Sequence, residues 1–359
     1  MSFSEIMDID RTDELRNRTW WWWWHIFFLR NPVAAERTKQ LMVLWGTRNT
    51  KFLEVNGIPW RNEREIVREE NSLTFHGLCA SWFFDGERMR EPLFIDQGTM
   101  TSTWDEVEGE LVLRNDNTYR FAKEGENCLV AIKRPEVEVE LKLAPWTPFM
   151  SRIEHTGKRY LVRLGYQMHK IRGSKVSGRM RIDDGETEEE GTAYFQKVRI
   201  NSPTSPWYWG VFHTDSGCYV DYFMPHIGPP AFRRSLSHRS GLDWGEWPLS
   251  RSWQFYDSSD DEFHRIRNIS MSRSYEKDLP TFTLHGREGD RSIEMVMRAY
   301  SRAYWKVKQP FLKLLCSYLY YNEYPVNVTK FEFRSGTKRR TLSDVGRFVG
   351  NCEHSWGMI

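Results

Sequence analysis

Val137-Glu-Val-Glu-Leu-Lys-Leu143 alternates apolar and charged side chains without a break. A period of two sends the two sets to opposite sides of an extended strand, so one face is buried and the other is wet. Tyr160-Leu-Val-Arg-Leu-Gly-Tyr166, Cys218–Met224 and Ile293–Ala299 follow the same pattern less cleanly. Trp20–Leu29 and Lys313–Tyr321 are apolar on both faces, as central strands are. Turn chemistry separates these runs at Asn56-Gly57, Asp85-Gly86, Asn115-Asp-Asn117, Asp183-Asp-Gly185, Asp215-Ser-Gly217 and Gly289-Asp290. Short strands at hairpin spacing predict an all-β chain of barrels or sandwiches rather than βαβ units. Helical patterning is scarce: Glu63–Glu70 fits a short helix or a charged loop, and Ser292–Lys306 fits helix and strand equally.

The chain has 359 residues, enough for two domains of roughly 150–200 residues each. The two prolines of Pro145-Trp-Thr-Pro148 and the acidic hairpin Asp183–Gly191 place the domain change between them. The expected division is an extension over 1–18, a first domain over 19–185 and a second over 186–359. Gly228–Ser240 reads as a long loop over a surface or a pocket mouth. Formal net charge is +2, from 51 basic and 49 acidic residues, which argues against a nucleic-acid partner. The ten-residue apolar run Trp20–Leu29 is too short for a bilayer span of roughly 20 residues. Residues 1–18 are polar and acidic, unlike a secretory leader. The five cysteines contain no CxxC pair and read as reduced thiols. These features together suggest a cytoplasmic protein, with peripheral membrane association and oligomeric state left open.

Aromatic residues make up 15% of the chain, with 17 tryptophans. Such enrichment fits wide apolar pockets, carbohydrate platforms or thick sandwich cores. The densest region runs from Gly191 to Pro225. Gly191-Thr-Ala-Tyr-Phe-Gln-Lys-Val-Arg-Ile200 reads as one strand, Trp207-Tyr-Trp-Gly-Val-Phe-His213 as the next, and Cys218-Tyr-Val-Asp-Tyr-Phe-Met224 as a third. Strand geometry puts Tyr219, Asp221 and Phe223 on one face. If that face lines a barrel interior, apolar surroundings favour the neutral, proton-donating form of Asp221; otherwise Asp221 points to solvent or bonds a turn amide. His213, Asp215 and His226 lack His-x-His or His-x3-His spacing, so no metal is expected. His25 reads as a core or pocket histidine. Glu353 and His354 are adjacent in a strand, so they face opposite ways. There is no G-x-S-x-G, P-loop or G-x-G-x-x-G.

Four segments in order carry a resemblance: Trp20–His25, Ser81-Trp-Phe-Phe-Asp-Gly86, Gly191-Thr-Ala-Tyr-Phe-Gln-Lys with Trp207-Tyr-Trp-Gly210, and Gly350-Asn-Cys-Glu-His-Ser-Trp-Gly357. The chain resembles the two-domain lipocalin-like family that includes carotenoid 1,2-hydratase (hydroxyneurosporene synthase), secreted relatives of unknown role and fungal Diels–Alder cyclases. The resemblance implies two lipocalin-like β domains in tandem and a hydrophobic ligand. It also implies that Tyr219-Val-Asp221 matches the hydratases' Tyr-x-Asp proton donor. The hydratases carry Asp-His-Asn-Trp-Gly just upstream, where this chain has Phe195-Gln-Lys-Val-Arg199, and that departure weakens the implied carotenoid hydration.

The expected ligand is therefore an isoprenoid, carotenoid-like or other polyene molecule. Trp23, His25, Tyr194, Gln196, Trp207, Trp209 and His213 would line its pocket, and no cofactor is expected. With Asp221 as donor and Tyr219 orienting it, the chain would be a hydratase, isomerase or cyclase. Without that chemistry it would be a lipid or pigment carrier; a carbohydrate-binding β protein is the third alternative.

Overall fold

A computed structural model describes residues 3–9, 19–48, 50, 52–61, 66–105, 107–161, 164–200, 204–232, 234, 246–311 and 315–358. The all-β expectation holds, with 72% strand and 5% helix. Ten antiparallel strands close into a barrel. From Val137–Pro145 the order runs through Asn127–Arg134, Thr118–Glu124, Gly109–Arg114, Met89–Trp104, Ser72–Phe84, Lys39–Arg48, Trp20–Leu29, Gly185–Ile200 and Leu164–Ile182. The last of these pairs back onto Val137–Pro145, which removes both sheet edges. In the alternating strand, Val137, Val139, Leu141 and Leu143 point into the barrel and are buried.

A second sheet runs Glu262–Ile266, Ser252–Asp257, Tyr219–Ile227, Trp207–Thr214, Phe348–Met358, Leu315–Ser335, Arg291–Ala299, Leu279–Glu288 and Ile269–Glu276. Its own core contains Phe212, Tyr222, Trp253, Phe282 and Phe333. Ser292–Lys306 forms parts of two strands, Arg291–Ala299 and Ala303–Phe311. Within Glu63–Glu70, Val67–Glu69 is a strand and residues 62–65 lie outside the described residues. In the expected loop 228–240, Pro229–Phe232 forms a 3-10 turn, and 233 and 235–240 lie outside the described residues. All five cysteines are free.

The strand Gly185–Ile200 hydrogen-bonds between Trp20–Leu29 and Leu164–Ile182, so it belongs to the first sheet. The expected start of the second domain at 186 fell inside this barrel strand because the hairpin 183–185 joins two strands of one barrel. In the opposite sense, Leu53–Val55 pairs with Ala303–Phe311 and ties an early segment into the second sheet.

The two sheets pack face to face through a third apolar cluster. Trp24, Ile26, Phe28, Met42, Trp82 and Tyr194 come from the barrel's outer surface. Trp209, Val211, Tyr219, Trp305 and Leu319 come from the second sheet. This layer explains why Trp20–Leu29 is apolar on both sides. Its odd residues Trp21, Trp23, Phe27 and Leu29 fill the barrel, while even residues Trp24, Ile26 and Phe28 fill the layer between the sheets.

Candidate site between the two sheets

The Trp207–Thr214 strand presents alternate residues to this layer. A Cβ at Gly210, on the other face, would lie 2.6 Å from the Tyr222 ring, so glycine lets that ring lie flat against the strand. Trp209 packs edge-on to Trp24 at 5.2 Å and against Tyr194 at 5.4 Å between ring centres. The Tyr194 hydroxyl donates to Gln196 at 3.2 Å. The indole N–H groups of Trp24 and Trp305 are buried here without a partner among the described residues.

Two glutamates face each other in this layer. Glu323 and Glu353 are directly opposite in the pairing of Leu315–Ser335 with Phe348–Met358. Both are buried. Tyr321 lies two residues from Glu323 on the same face, and its hydroxyl reaches both carboxyl groups, at 2.6 Å for Glu353. The Trp207 indole donates to the second oxygen of Glu353 at 2.8 Å, and Asn351 donates to Glu323 at 2.8 Å.

A phenol has one proton to give. If it serves one glutamate, the contact with the other requires a carboxylic acid proton donated to the phenol oxygen. Burial, opposed by hydrogen bonds from Tyr321 and Trp207, pushes the Glu353 carboxyl up to about 7. Burial followed by the charge of Glu353 holds Glu323 well above the carboxylate range, despite opposing bonds from Tyr321 and Asn351. Two like charges this close in an apolar layer do not both ionise readily, so the geometry favours a proton held between them.

A second polar group crosses the same layer. Asp221 accepts from Tyr219 at 2.7 Å and from the Lys170 ammonium at 2.6 Å. Lys170 also lies 3.3 Å from Glu154 and 3.4 Å from Gln254, and Arg172 pairs with Glu154 at 2.5 Å. Tyr219 and Asp221 share a face as expected, but that face looks onto the barrel's outer surface, not into a barrel interior. The apolar isolation assumed for Asp221 is absent, because Lys170 sits beside it. Lys170, Arg172 and Glu154 had no marked sequence pattern: they lie on two paired strands, Leu164–Ile182 for the two cations and Ile153–Leu161 for Glu154, and their partners across the layer come from a sheet distant in sequence.

The structure brings together Tyr194, Gln196, Trp207, Trp209, His213, Tyr219 and Asp221 on this layer. His213 bridges the sheets, with Nδ1 2.9 Å from the Thr192 hydroxyl and Nε2 donating to the Arg172 carbonyl at 2.7 Å. Desolvation pushes it down to about 4, so it is a neutral structural link with both nitrogens engaged. Trp23 and His25 are elsewhere, inside the barrel, because odd positions of their strand point inward. Trp23 donates to the Ile6 carbonyl at 2.6 Å and helps hold the short N-terminal helix Ser4–Met7 against the barrel. A cleft of about 380 Å³ beside that helix, lined by Trp21, His155, His169, Lys197 and Arg199 among others, is separate from the glutamate pair.

His25 is fully buried against Phe27, Trp45, Phe121 and Phe195, and neither ring nitrogen has a partner among the described residues. Desolvation pushes its pKa down to about 3. A depressed imidazole contributes stability above its ordinary value of 6.5 that is lost as pH falls toward the folded value. His25→Leu is therefore expected to raise stability by about 1–2 kcal/mol and to flatten the decline between pH 6.5 and 3, read from urea unfolding. An unchanged acid slope would contradict this placement.

Inside the second sheet, donor atoms of His226, Glu246 and His354 lie within 4.8 Å of one another. The Arg273 guanidinium already approaches this group, 3.3 Å from Glu246 and 2.7 Å from His354 Nδ1. A resident buried cation beside the only carboxylate of the set opposes a second one.

No family model and no curated protein matches the sequence. Among solved structures, an AttH-like protein of Nitrosomonas europaea is similar over 98% of this chain and 97% of its own, with a TM-score of 0.53 and 11% identity. Kievitone hydratase from Nectria haematococca aligns over 99% of this chain and 95% of its own, with a TM-score of 0.41 and 11% identity. The likeness to the first is one of fold alone.

Proposed function

We propose that the chain binds an apolar small molecule of the isoprenoid or polyene kind between its two sheets and moves a proton on it, with Glu353 as the acid. The observation that supports this reading is the pair of buried, opposed glutamates bridged by one tyrosine hydroxyl. A carboxyl held near 7 exists in both forms at neutral pH, which suits general acid–base work. Glu353 in its acid form gives its proton to an alkene carbon. The π electrons form the new C–H bond, leaving a carbocation on the neighbouring carbon and a carboxylate on Glu353. Trp207 and Trp209 offer aromatic faces to that cation. Water then adds and returns a proton to Glu353, or the cation loses a proton from an adjacent carbon to the same carboxylate. The first path is hydration, the second isomerisation, and neither consumes a cofactor. Glu323 and Tyr321 hold the shared proton, and Asp221 with Lys170 joins the two sheets that close the site.

Natively purified protein is extracted with solvent, and the apolar compound recovered is identified by mass spectrometry. That compound is then incubated in heavy water with wild type and with Glu353→Gln. The expected result is deuterium uptake with wild type and a loss of about 10²–10⁴-fold in its rate with the variant. A retained compound that takes up no deuterium would make the chain a carrier and overturn the proton-transfer reading.

A further inference from the structure

Four large apolar side chains stand in solvent within one short stretch of the second domain. Ile227 is 40% exposed, Phe232 77%, Trp247 64% and Leu249 43%. Local pairing gathers Ile227, Trp247 and Leu249 at one end of the sheet, and the chain continues from Ile227 into the turn that carries Phe232. Ile227 pairs with Trp247, the Leu249 amide donates to the Pro225 carbonyl at 2.8 Å, and Phe232 ends the 3-10 turn Pro229–Phe232. Pro230 and Ala231 are buried, which anchors the turn beneath the projecting phenylalanine.

Arginine outnumbers acid in the same stretch of sequence. Between residues 224 and 251 the sequence holds Arg233, Arg234, Arg239 and Arg251 against only Asp243 and Glu246. Glu246 is taken up by Tyr208, which donates to it at 2.8 Å, and by Arg273. Arg234 and Arg251 are exposed.

We propose that this surface docks the protein onto an anionic lipid bilayer. Tryptophan and phenylalanine settle at the boundary between headgroups and acyl chains, and arginine adds attraction to anionic headgroups. A twofold contact with a second copy would instead bring the arginines of both copies together, which disfavours self-association here. The docking end is also the end nearest the glutamates. Trp207, whose indole bonds Glu353, pairs with Pro225, two residues before Ile227. Docking would thus present the site to a ligand dissolved in the membrane. That use rests on the proposed function, whereas the docking itself does not.

Full-length protein is sedimented with vesicles of phosphatidylcholine and with vesicles of an equimolar mixture of phosphatidylcholine and phosphatidylglycerol. Wild type is expected to bind the mixed vesicles. Phe232→Ser/Trp247→Ser should lower that binding about tenfold or more, with an unchanged thermal midpoint showing that it is folded. Arg234→Gln/Arg251→Gln should lower binding to mixed vesicles several-fold and leave the neutral ones unaffected. No binding by wild type, or binding that survives Phe232→Ser/Trp247→Ser, overturns the proposal. So does a wild-type dimer that this double variant converts to monomer, which would make the patch an interface between copies. Each result is independent of deuterium uptake, so this proposal and the proton-transfer reading can fail separately.

Discussion

Lys170→Met is expected to lower stability by about 3–5 kcal/mol, read as a fall in the urea midpoint. The Lys170 side chain is 2% exposed and that of Asp221 10%, so removing the ammonium strands a carboxylate where water does not replace the lost partner. The loss comes from this stranded charge more than from the attraction of the pair, because desolvation offsets much of that attraction. The second substitution therefore matters. Lys170→Met/Asp221→Asn should recover most of the loss, since an amide can still accept from the Tyr219 hydroxyl without carrying charge. Lys170 belongs to the barrel and Asp221 to the second sheet, so the cycle also measures how firmly the layers are joined. A single variant as stable as wild type would mean that the pair is hydrated and the layers part easily.

Glu353→Gln is expected to make the protein more stable at pH 8 and to leave it nearly unchanged at pH 4.5. The folded value of about 7 lies above the ordinary 4.5, so between these pH values the native state holds more protons than the unfolded chain. Stability from protonated Glu353 is then complete below 4.5 and falls as pH rises through about 7. A displacement of that size is worth roughly 3 kcal/mol. Glutamine keeps an acceptor for the Trp207 indole and removes the repulsion with Glu323. Glu91, also pushed up to about 7 by burial, and Glu323, held above its ordinary value by burial, should leave a residual slope in the variant. Urea unfolding at a series of pH values separates the Glu353 contribution from theirs. A wild-type curve that is flat from 4.5 to 7 would show that Glu353 ionises without penalty.

Alternation along single strands was legible in the sequence, and it placed correctly what shares a face. Val137–Leu143, the two-faced Trp20–Leu29 and the Tyr219–Asp221 pair all follow from a period of two. Which face looks where was not legible. Trp23 and His25 differ from Trp24 only in parity, yet parity sends them into the barrel and Trp24 into the layer between the sheets. The glutamate pair depended on a register between strands some thirty residues apart, which periodicity within either strand does not contain. A usable signal was present: Glu323 closes a long apolar run after Tyr321, and Glu353 interrupts another, and a lone carboxylate in a two-faced apolar strand marks a costly burial. Lys170 and Arg172 lay in a strand of mixed polarity, where charge reads as solvent exposure until the second sheet covers it.

The claim on which the functional reading depends is that Glu323 and Glu353 share a proton at neutral pH. Difference infrared spectroscopy from about pH 5 to about pH 9 reads the carbonyl stretch of a protonated carboxyl directly. A protonated carboxyl signal that persists to neutral pH, declines through about 7 and changes in Glu353→Gln is the expected result. Carboxyl groups fully ionised well below neutral pH in wild type, with a spectrum indifferent to that substitution, would contradict it.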